Sequence, residues 1–83
     1  MAKILLVEDD EFIAEIYQKK LVDAGFEVVN VKTGREVLKR VTETTYDLVL
    51  LDMVLPELSG MEVLQELRTK PEYDQNLKVV VFS

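Results

Sequence analysis

Two short aliphatic runs of this chain each lead into carboxylates, Ile4–Val7 into the Glu8–Asp10 triplet and Leu48–Leu51 into Asp52. If both runs are neighbouring parallel strands, these carboxylates meet at the carboxyl edge of one sheet. Like charges that close repel, so the cluster needs a shared proton or a cation. A hard divalent metal such as Mg2+ suits such oxygen ligands and keeps some of its water. That arrangement leaves one carboxylate free to attack phosphorus as a nucleophile.

The composition limits which chemistry is available. The chain has 83 residues, a formal net charge of −6, no Cys and no His, so we expect one small domain without disulfide, thiolate or histidine chemistry. The acidic balance disfavours binding of nucleic acid by this domain alone, since phosphate contacts need clustered Lys and Arg. The apolar runs are far shorter than the ~20 residues of a membrane span, and the N-terminus lacks the apolar segment of a signal peptide. We therefore expect a cytoplasmic protein that does not contact membranes.

Strand-like and helix-like segments alternate along the chain. The predicted strands are Ile4–Val7, Val28–Val31, Leu48–Leu51 and Val79–Phe82. Helical patterns lie between them, and right-handed crossovers then give an open parallel α/β sheet with helices on both faces. Ligands of such sheets bind at the carboxyl ends of the strands, where the strand order reverses. Both sets of acids are predicted to lie there.

The first helical pattern runs from about Glu11 to Ala24, with Asp9 or Asp10 as its cap and Gly25 as its stop. Its apolar positions recur at spacings of three and four and predict one buried stripe. That stripe comprises Phe12, Ile13, Ile16, Tyr17, Leu21 and Ala24. The polar Asn30 in the second strand favours an edge position for that strand.

The later segments follow the same logic. A second helix presents Val37, Leu38 and Val41 inward, and Met53–Gly60 is a loop because it contains Pro56 and Gly60. A third helix starts near Ser59 and presents Val63, Leu64 and Leu67 to the core.

These segments together resemble the receiver domain of bacterial two-component response regulators. The resemblance covers essentially the whole chain and rests on Leu5–Asp10, on Asp47–Asp52, and on Met53–Pro56 leading to Gly60. It implies a flavodoxin-like fold, a three-layer open parallel sheet that is truncated here after the fourth strand. Residues 1–83 would then form a single, C-terminally truncated receiver domain.

The resemblance also implies a role for individual residues. Asp52 would accept a phosphoryl group from the phosphohistidine of a histidine kinase or phosphotransfer protein, so the domain would be a phosphoacceptor rather than an enzyme. Asp9 and Asp52 would bind Mg2+ directly, Glu8 through water, and Val54 through its backbone carbonyl. The hydroxyl of Ser83, after the fourth strand, would contact a phosphoryl oxygen in the modified state.

The resemblance further implies a helix, a strand and a helix after the fourth strand, with a phosphate-binding Lys on the fifth strand. Lys78 precedes the fourth strand, at its wrong end for that role. Without the last helix, apolar side chains on the third and fourth strands would lie bare, and Val79–Phe82 would be an unpaired edge. Such an edge invites pairing, so we expect a two-fold homodimer through it.

The sequence also allows other interpretations. The domain could be a self-associating assembly module that keeps the fold without phosphorylation. A haloacid-dehalogenase-like phosphatase also uses a strand-end Asp, but it needs a second Asp two residues later, where this chain has Val54. Individual acids could simply cap turns or helices, and Asp10 fits a helix cap better than a metal ligand. Ser83 could be an ordinary solvated residue.

Overall fold

A computed structural model describes residues 1–82 and contains four strands and three helices. The strands are β1 (Lys3–Val7), β2 (Glu27–Val31), β3 (Leu48–Asp52) and β4 (Val79–Phe82). The helices are α1 (Glu11–Asp23), α2 (Gly34–Glu43) and α3 (Gly60–Thr69). The strands form one parallel sheet in the order β2-β1-β3-β4. The alternating order and the parallel sheet predicted from the sequence are therefore confirmed.

The register places β1 in the interior of the sheet. Leu6 lies opposite Asn30 on one side and opposite Leu50 on the other. Asn30 belongs to the edge strand β2, as its polarity predicted, and its amide donates a hydrogen bond to the Leu6 carbonyl at 3.0 Å.

Each helix begins at a side-chain cap that its sequence supplies. Asp10 caps α1 by accepting from the backbone N–H groups of Phe12 and Ile13, which confirms the capping role predicted for it. Thr33 caps α2, and Ser59 caps α3 in a reciprocal capping box with Glu62.

The main hydrophobic core lies between the sheet and the pair α2 and α3. Alternate residues of the central strands point into it, because side chains on a strand alternate between faces. Its fully buried members are Leu5, Val7, Val31, Val37, Val49, Leu51, Val63 and Leu67. Helices α2 and α3 present the inward residues predicted for them, Val37 and Val63 among them.

The prediction for α1 is wrong in one respect. Its only buried residue is Ala14, while Phe12 is 72% exposed and Tyr17 is 39% exposed. Within residues 1–82, α1 is the only helix that packs on its face of the sheet, and one helix cannot cover both flanks of that face. Tyr17 still meets β4, where its ring packs edge-to-face on Phe82 with centroids 5.3 Å apart. None of the helices in residues 1–82 is both long and apolar enough to cross a membrane.

Candidate acidic site at the carboxyl edge of the sheet

The central pair of strands positions the two sets of acids. Val7 of β1 lies opposite Leu51 of β3, so Glu8 and Asp52 follow next to each other at the carboxyl edge. The backbone pairing continues one residue beyond the strands. The Glu8 N–H donates to the Val31 carbonyl at 3.0 Å, and the Met53 N–H donates to the Phe82 carbonyl at 2.7 Å. The backbone beneath the acids is therefore fixed.

The structure brings together the three carboxylates that the sequence singled out. One oxygen each from Glu8, Asp9 and Asp52 lies within 4.8 Å of the other two. Glu8 and Asp52 are buried, at 4% and 8% exposure, whereas Asp9 faces solvent. Burial of two acids side by side is unfavourable unless a partner compensates. This geometry therefore calls for a proton or a cation.

Backbone amides orient both buried acids. The Val54 N–H donates to Asp52 Oδ1 at 3.1 Å, and the Asp10 N–H donates to Glu8 Oε2 at 3.2 Å. Each carboxylate thus has one oxygen held by the backbone next to it in the chain. These bonds restrict the side chains to a few orientations and so preorganise the cluster.

The protonation of Glu8 is strongly perturbed. Burial raises the pKa of its carboxyl group from the usual 4.5 to about 7, and the neighbouring Asp52 and Asp9 act in the same direction. The hydrogen bond from the Asp10 N–H opposes this effect, since it favours the charged form. Without a cation, the cluster therefore retains a proton on Glu8 close to neutral pH.

The donor set fits Mg2+. The ion binds oxygen at 2.0–2.1 Å in an octahedron, so two opposite ligands lie about 4 Å apart. The three carboxylate oxygens lie within 4.8 Å of one another, close enough to surround one such ion. The chain contains no Cys or His, so the soft or nitrogen ligands preferred by Zn2+ or Cu2+ are absent.

Gly60 determines how the loop after Asp52 returns to α3. A Cβ atom at this position would lie 2.3 Å from the Asp52 carbonyl oxygen and 2.8 Å from Met53 Cα. The Gly60 N–H also donates to the Met53 carbonyl at 2.9 Å. From the sequence, Gly60 marks the loop and belongs to the stretch on which the family resemblance rests. The structure adds that any larger residue would displace the backbone that carries Asp52.

The sequence also drew attention to Lys78 and Ser83. Lys78 is at the opposite edge of the sheet, where its carbonyl accepts from the Val49 N–H at 2.9 Å; its predicted position at the wrong end of β4 is confirmed. Ser83 lies outside the described residues, and its phosphoryl contact stays a prediction.

An open parallel sheet with clustered acids at its carboxyl edge is typical of an α/β domain of the flavodoxin-like type, whose ligands bind at that edge. Comparison with known proteins makes this class specific. Residues 4–83 match the family described as the response regulator receiver domain, and the chain belongs to that family. It is a receiver domain of two-component response regulators, a class of phosphoacceptors rather than enzymes in the ordinary sense.

Curated relatives are transcriptional regulators. The chain is 41% identical over 66 residues to the alkaline phosphatase synthesis regulator PhoP of Bacillus subtilis, covering 80% of this chain and 28% of PhoP. It is 37% identical over 75 residues to the phosphate regulon regulator PhoB of Rhizobium meliloti, covering 90% of this chain and 33% of PhoB. The chain therefore spans about a third of the length of these relatives.

Solved structures share the fold closely. The N-terminal domain of a response regulator receiver protein from Methanoculleus marisnigri superimposes with a TM-score of 0.93 at 28% identity, covering all of this chain and 67% of that one. A chain in the crystal structure of the histidine kinase ThkA with the response regulator TrrA matches with a TM-score of 0.88 at 36% identity, covering 98% and 67%. The predicted flavodoxin-like receiver fold is confirmed.

Proposed function

We propose that Asp52 is the phosphoacceptor of this receiver domain and that it acts together with Mg2+. The observation that carries the proposal is the meeting of three carboxylates at the carboxyl edge, with Asp52 buried at the end of β3. Membership of the receiver family supports the proposal. The same membership favours a phosphoacceptor over the self-associating assembly module as the function of the domain.

The proposed reaction is an in-line transfer. A carboxylate oxygen of Asp52 attacks phosphorus, the bond to the donor nitrogen breaks, and an aspartyl phosphate forms. The hydrogen bond from the Val54 N–H holds the Asp52 carboxylate in a fixed orientation before attack. This orientation lowers the entropy lost on reaching the transition state.

Asp9 and Asp52 would bind Mg2+ directly, Glu8 would bind it through water, and Val54 would contribute its backbone carbonyl. The bound ion supplies charge neutralisation for the phosphoryl oxygens. Binding would also release the proton that Glu8 holds near neutral pH, because the raised pKa of its carboxyl group reflects the cation-free cluster. Ser83 would contact a phosphoryl oxygen of the modified protein.

The phosphodonor would be a histidine kinase or a phosphotransfer protein. The structural match within a crystal structure of a histidine kinase in complex with a response regulator supports this class of partner. A cytoplasmic location also stays a prediction, as is usual for this family.

Incubation of the chain with acetyl phosphate and Mg2+ tests the proposal. We expect intact-mass spectrometry to show one added phosphoryl group, and we expect EDTA or the substitution Asp52→Asn to abolish it. Asp10→Asn is the matched control, because Asn caps a helix about as well as Asp and Asp10 is committed to its cap. Equal labelling of Asp52→Asn and the unsubstituted chain would refute the assignment.

The homodimer predicted from the sequence concerns a polypeptide of these 83 residues. Within residues 1–82, β4 is an edge strand, and its Val80 is 49% exposed, which favours pairing with another strand edge. We propose that two such polypeptides associate through β4. Sedimentation equilibrium should show a dimer that Val80→Lys weakens, and a folded monomer at micromolar concentration would contradict this.

A further inference from the structure

The loop between Asp52 and α3 contains an unusual turn. Glu57 has φ of +68° and is the only non-glycine residue with positive φ within residues 1–82. The Leu58 N–H donates to the Pro56 carbonyl at 2.8 Å, which closes a three-residue γ-turn around Glu57. A γ-turn of positive φ is rare and strained for a residue that has a Cβ. Such a turn persists only when its surroundings hold it.

Helix α2 supplies contacts that hold this turn. Arg35 Nε donates to Glu57 Oε2 at 3.1 Å. The neighbouring Gly34 lies so close to Leu58 that a Cβ on Gly34 would be 3.1 Å from the Leu58 Cβ. The loop is therefore tied to the first turn of α2 by an ion pair and by close packing.

The other part of the loop forms the wall of the acidic site. The Val54 N–H donates to Asp52 Oδ1 at 3.1 Å, and the Met53 carbonyl accepts from Gly60. Only a few residues separate Val54 from Glu57, so the strained turn and the Asp52 hydrogen bond belong to one short segment.

We propose that Arg35 is a positioning residue: its ion pair with Glu57 holds the strained turn and thereby keeps the Val54 backbone in place for Mg2+ at Asp52. The inference rests on the proposed function, because it assumes that Mg2+ binds at this site. By linkage, metal binding and formation of the Arg35–Glu57 pair stabilise each other.

Simple electrostatics predicts the opposite effect for a substitution of Arg35. The chain has a net charge of −6, and removal of a positive charge makes it more negative. Long-range attraction for a divalent cation would then increase. The sign of the change in Mg2+ affinity of Arg35→Gln therefore distinguishes positioning from general charge.

Isothermal titration with Mg2+ provides the test. We expect Arg35→Gln to bind Mg2+ about two- to fivefold more weakly than the unsubstituted chain, the range for loss of an exposed ion pair. Lys19→Gln is the matched control. It removes the same charge from an exposed ion pair, Lys19 with Asp23 at 3.2 Å, but within α1, so its affinity should be unchanged or slightly higher.

A second readout needs no metal. In the metal-free state, amide hydrogen exchange at Leu58 should be faster in Arg35→Gln, because the γ-turn opens more often. The charge-swapped pair Arg35→Glu with Glu57→Arg keeps the net charge and should restore both Mg2+ affinity and slow exchange.

The outcomes separate the two proposals. If the unsubstituted chain binds Mg2+ and Arg35→Gln binds it as tightly or more tightly, the positioning role of Arg35 is overturned and the proposed function stands. If the charge swap does not restore an affinity lost in Arg35→Gln, the ion pair is likewise overturned as the cause. No binding of Mg2+ by the unsubstituted chain overturns the metal site itself.

Discussion

The two faces of the sheet differ in how completely they are covered. On the face under α2 and α3, residues such as Leu51 and Leu67 are fully buried. On the face under α1, the strand residues Ile4 and Leu6 are buried, but Ile16 of the helix is 43% exposed. Glu8 and Asp52 belong to the α1 face, because each follows a residue of that face by two positions. The face that carries the reactive groups is thus the one that contributes less to the core.

This difference indicates that stability and site chemistry depend on separate sets of residues. Substitutions on the α2 and α3 face should mainly change the free energy of unfolding. Substitutions among the acids should mainly change the response to pH and Mg2+.

The largest effect on stability is expected in the hydrophobic core between the sheet and helices α2 and α3. Leu51→Ala removes a fully buried side chain and should lower the free energy of unfolding by about 2–5 kcal/mol, from lost transfer energy and the cavity left behind. Ile16→Ala on the α1 face should lower the free energy of unfolding by less than about 1 kcal/mol, since the Ile16 side chain is already partly exposed to water. Urea denaturation measures both. Equal losses would show that the two faces do not differ.

The acid cluster should make stability depend on pH. The pKa of the Glu8 carboxyl group is about 7 in the folded chain against its usual 4.5, so the native state binds the proton more tightly. The contribution of the Glu8 carboxyl group to the free energy of unfolding is fully present below pH 4.5 and is lost as pH rises through about 7. In EDTA, the midpoint of unfolding should therefore fall as the pH is raised through this range. Glu8→Gln should flatten the profile, and an unchanged slope in that variant would assign it to other groups.

Mg2+ should offset the repulsion among the clustered carboxylates and so stabilise the folded state. Binding to the folded state alone stabilises by about 2.7 kcal/mol at one hundred times the dissociation constant, so the melting temperature should rise with Mg2+ and reach a higher value than in EDTA. Asp52→Asn should greatly reduce the rise. If Mg2+ raised the melting temperature of Asp52→Asn as much as that of the unsubstituted chain, the ion would be acting elsewhere on the acidic surface.

The loop that carries the site should tolerate no side chain at Gly60. Gly60→Ala places a Cβ against the Asp52 and Met53 backbone and should cost about 1–3 kcal/mol through forced backbone shifts. It should also weaken Mg2+ binding. Gly25→Ala is a useful comparison, because Gly25 has φ of +97° but open space around it. That variant should cost about 1 kcal/mol without changing Mg2+ affinity.

Much of the fold and the cluster itself could be predicted from the sequence. The aliphatic runs predicted the strands, Asn30 predicted the edge position of β2, and the acids after β1 and β3 met as expected. The exposure of Phe12 could not be predicted, because a helical stripe shows that apolar residues share a side but not that anything covers them. The turn at Glu57 gave no signal either, since positive φ usually appears in a sequence as Gly or Asn.

Paramagnetic relaxation by Mn2+ tests the shared cation site most directly, because Mn2+ can replace Mg2+ at oxygen ligands and broadens only the NMR signals near it. At substoichiometric Mn2+, we predict selective loss of the amide signals of residues 8–10 and 52–54, with excess Mg2+ restoring them. Signals at the opposite edge, around Asp74 and Lys78, should persist. Broadening centred on that edge, or spread evenly over the acidic surface, would contradict a single ion held between Asp9 and Asp52.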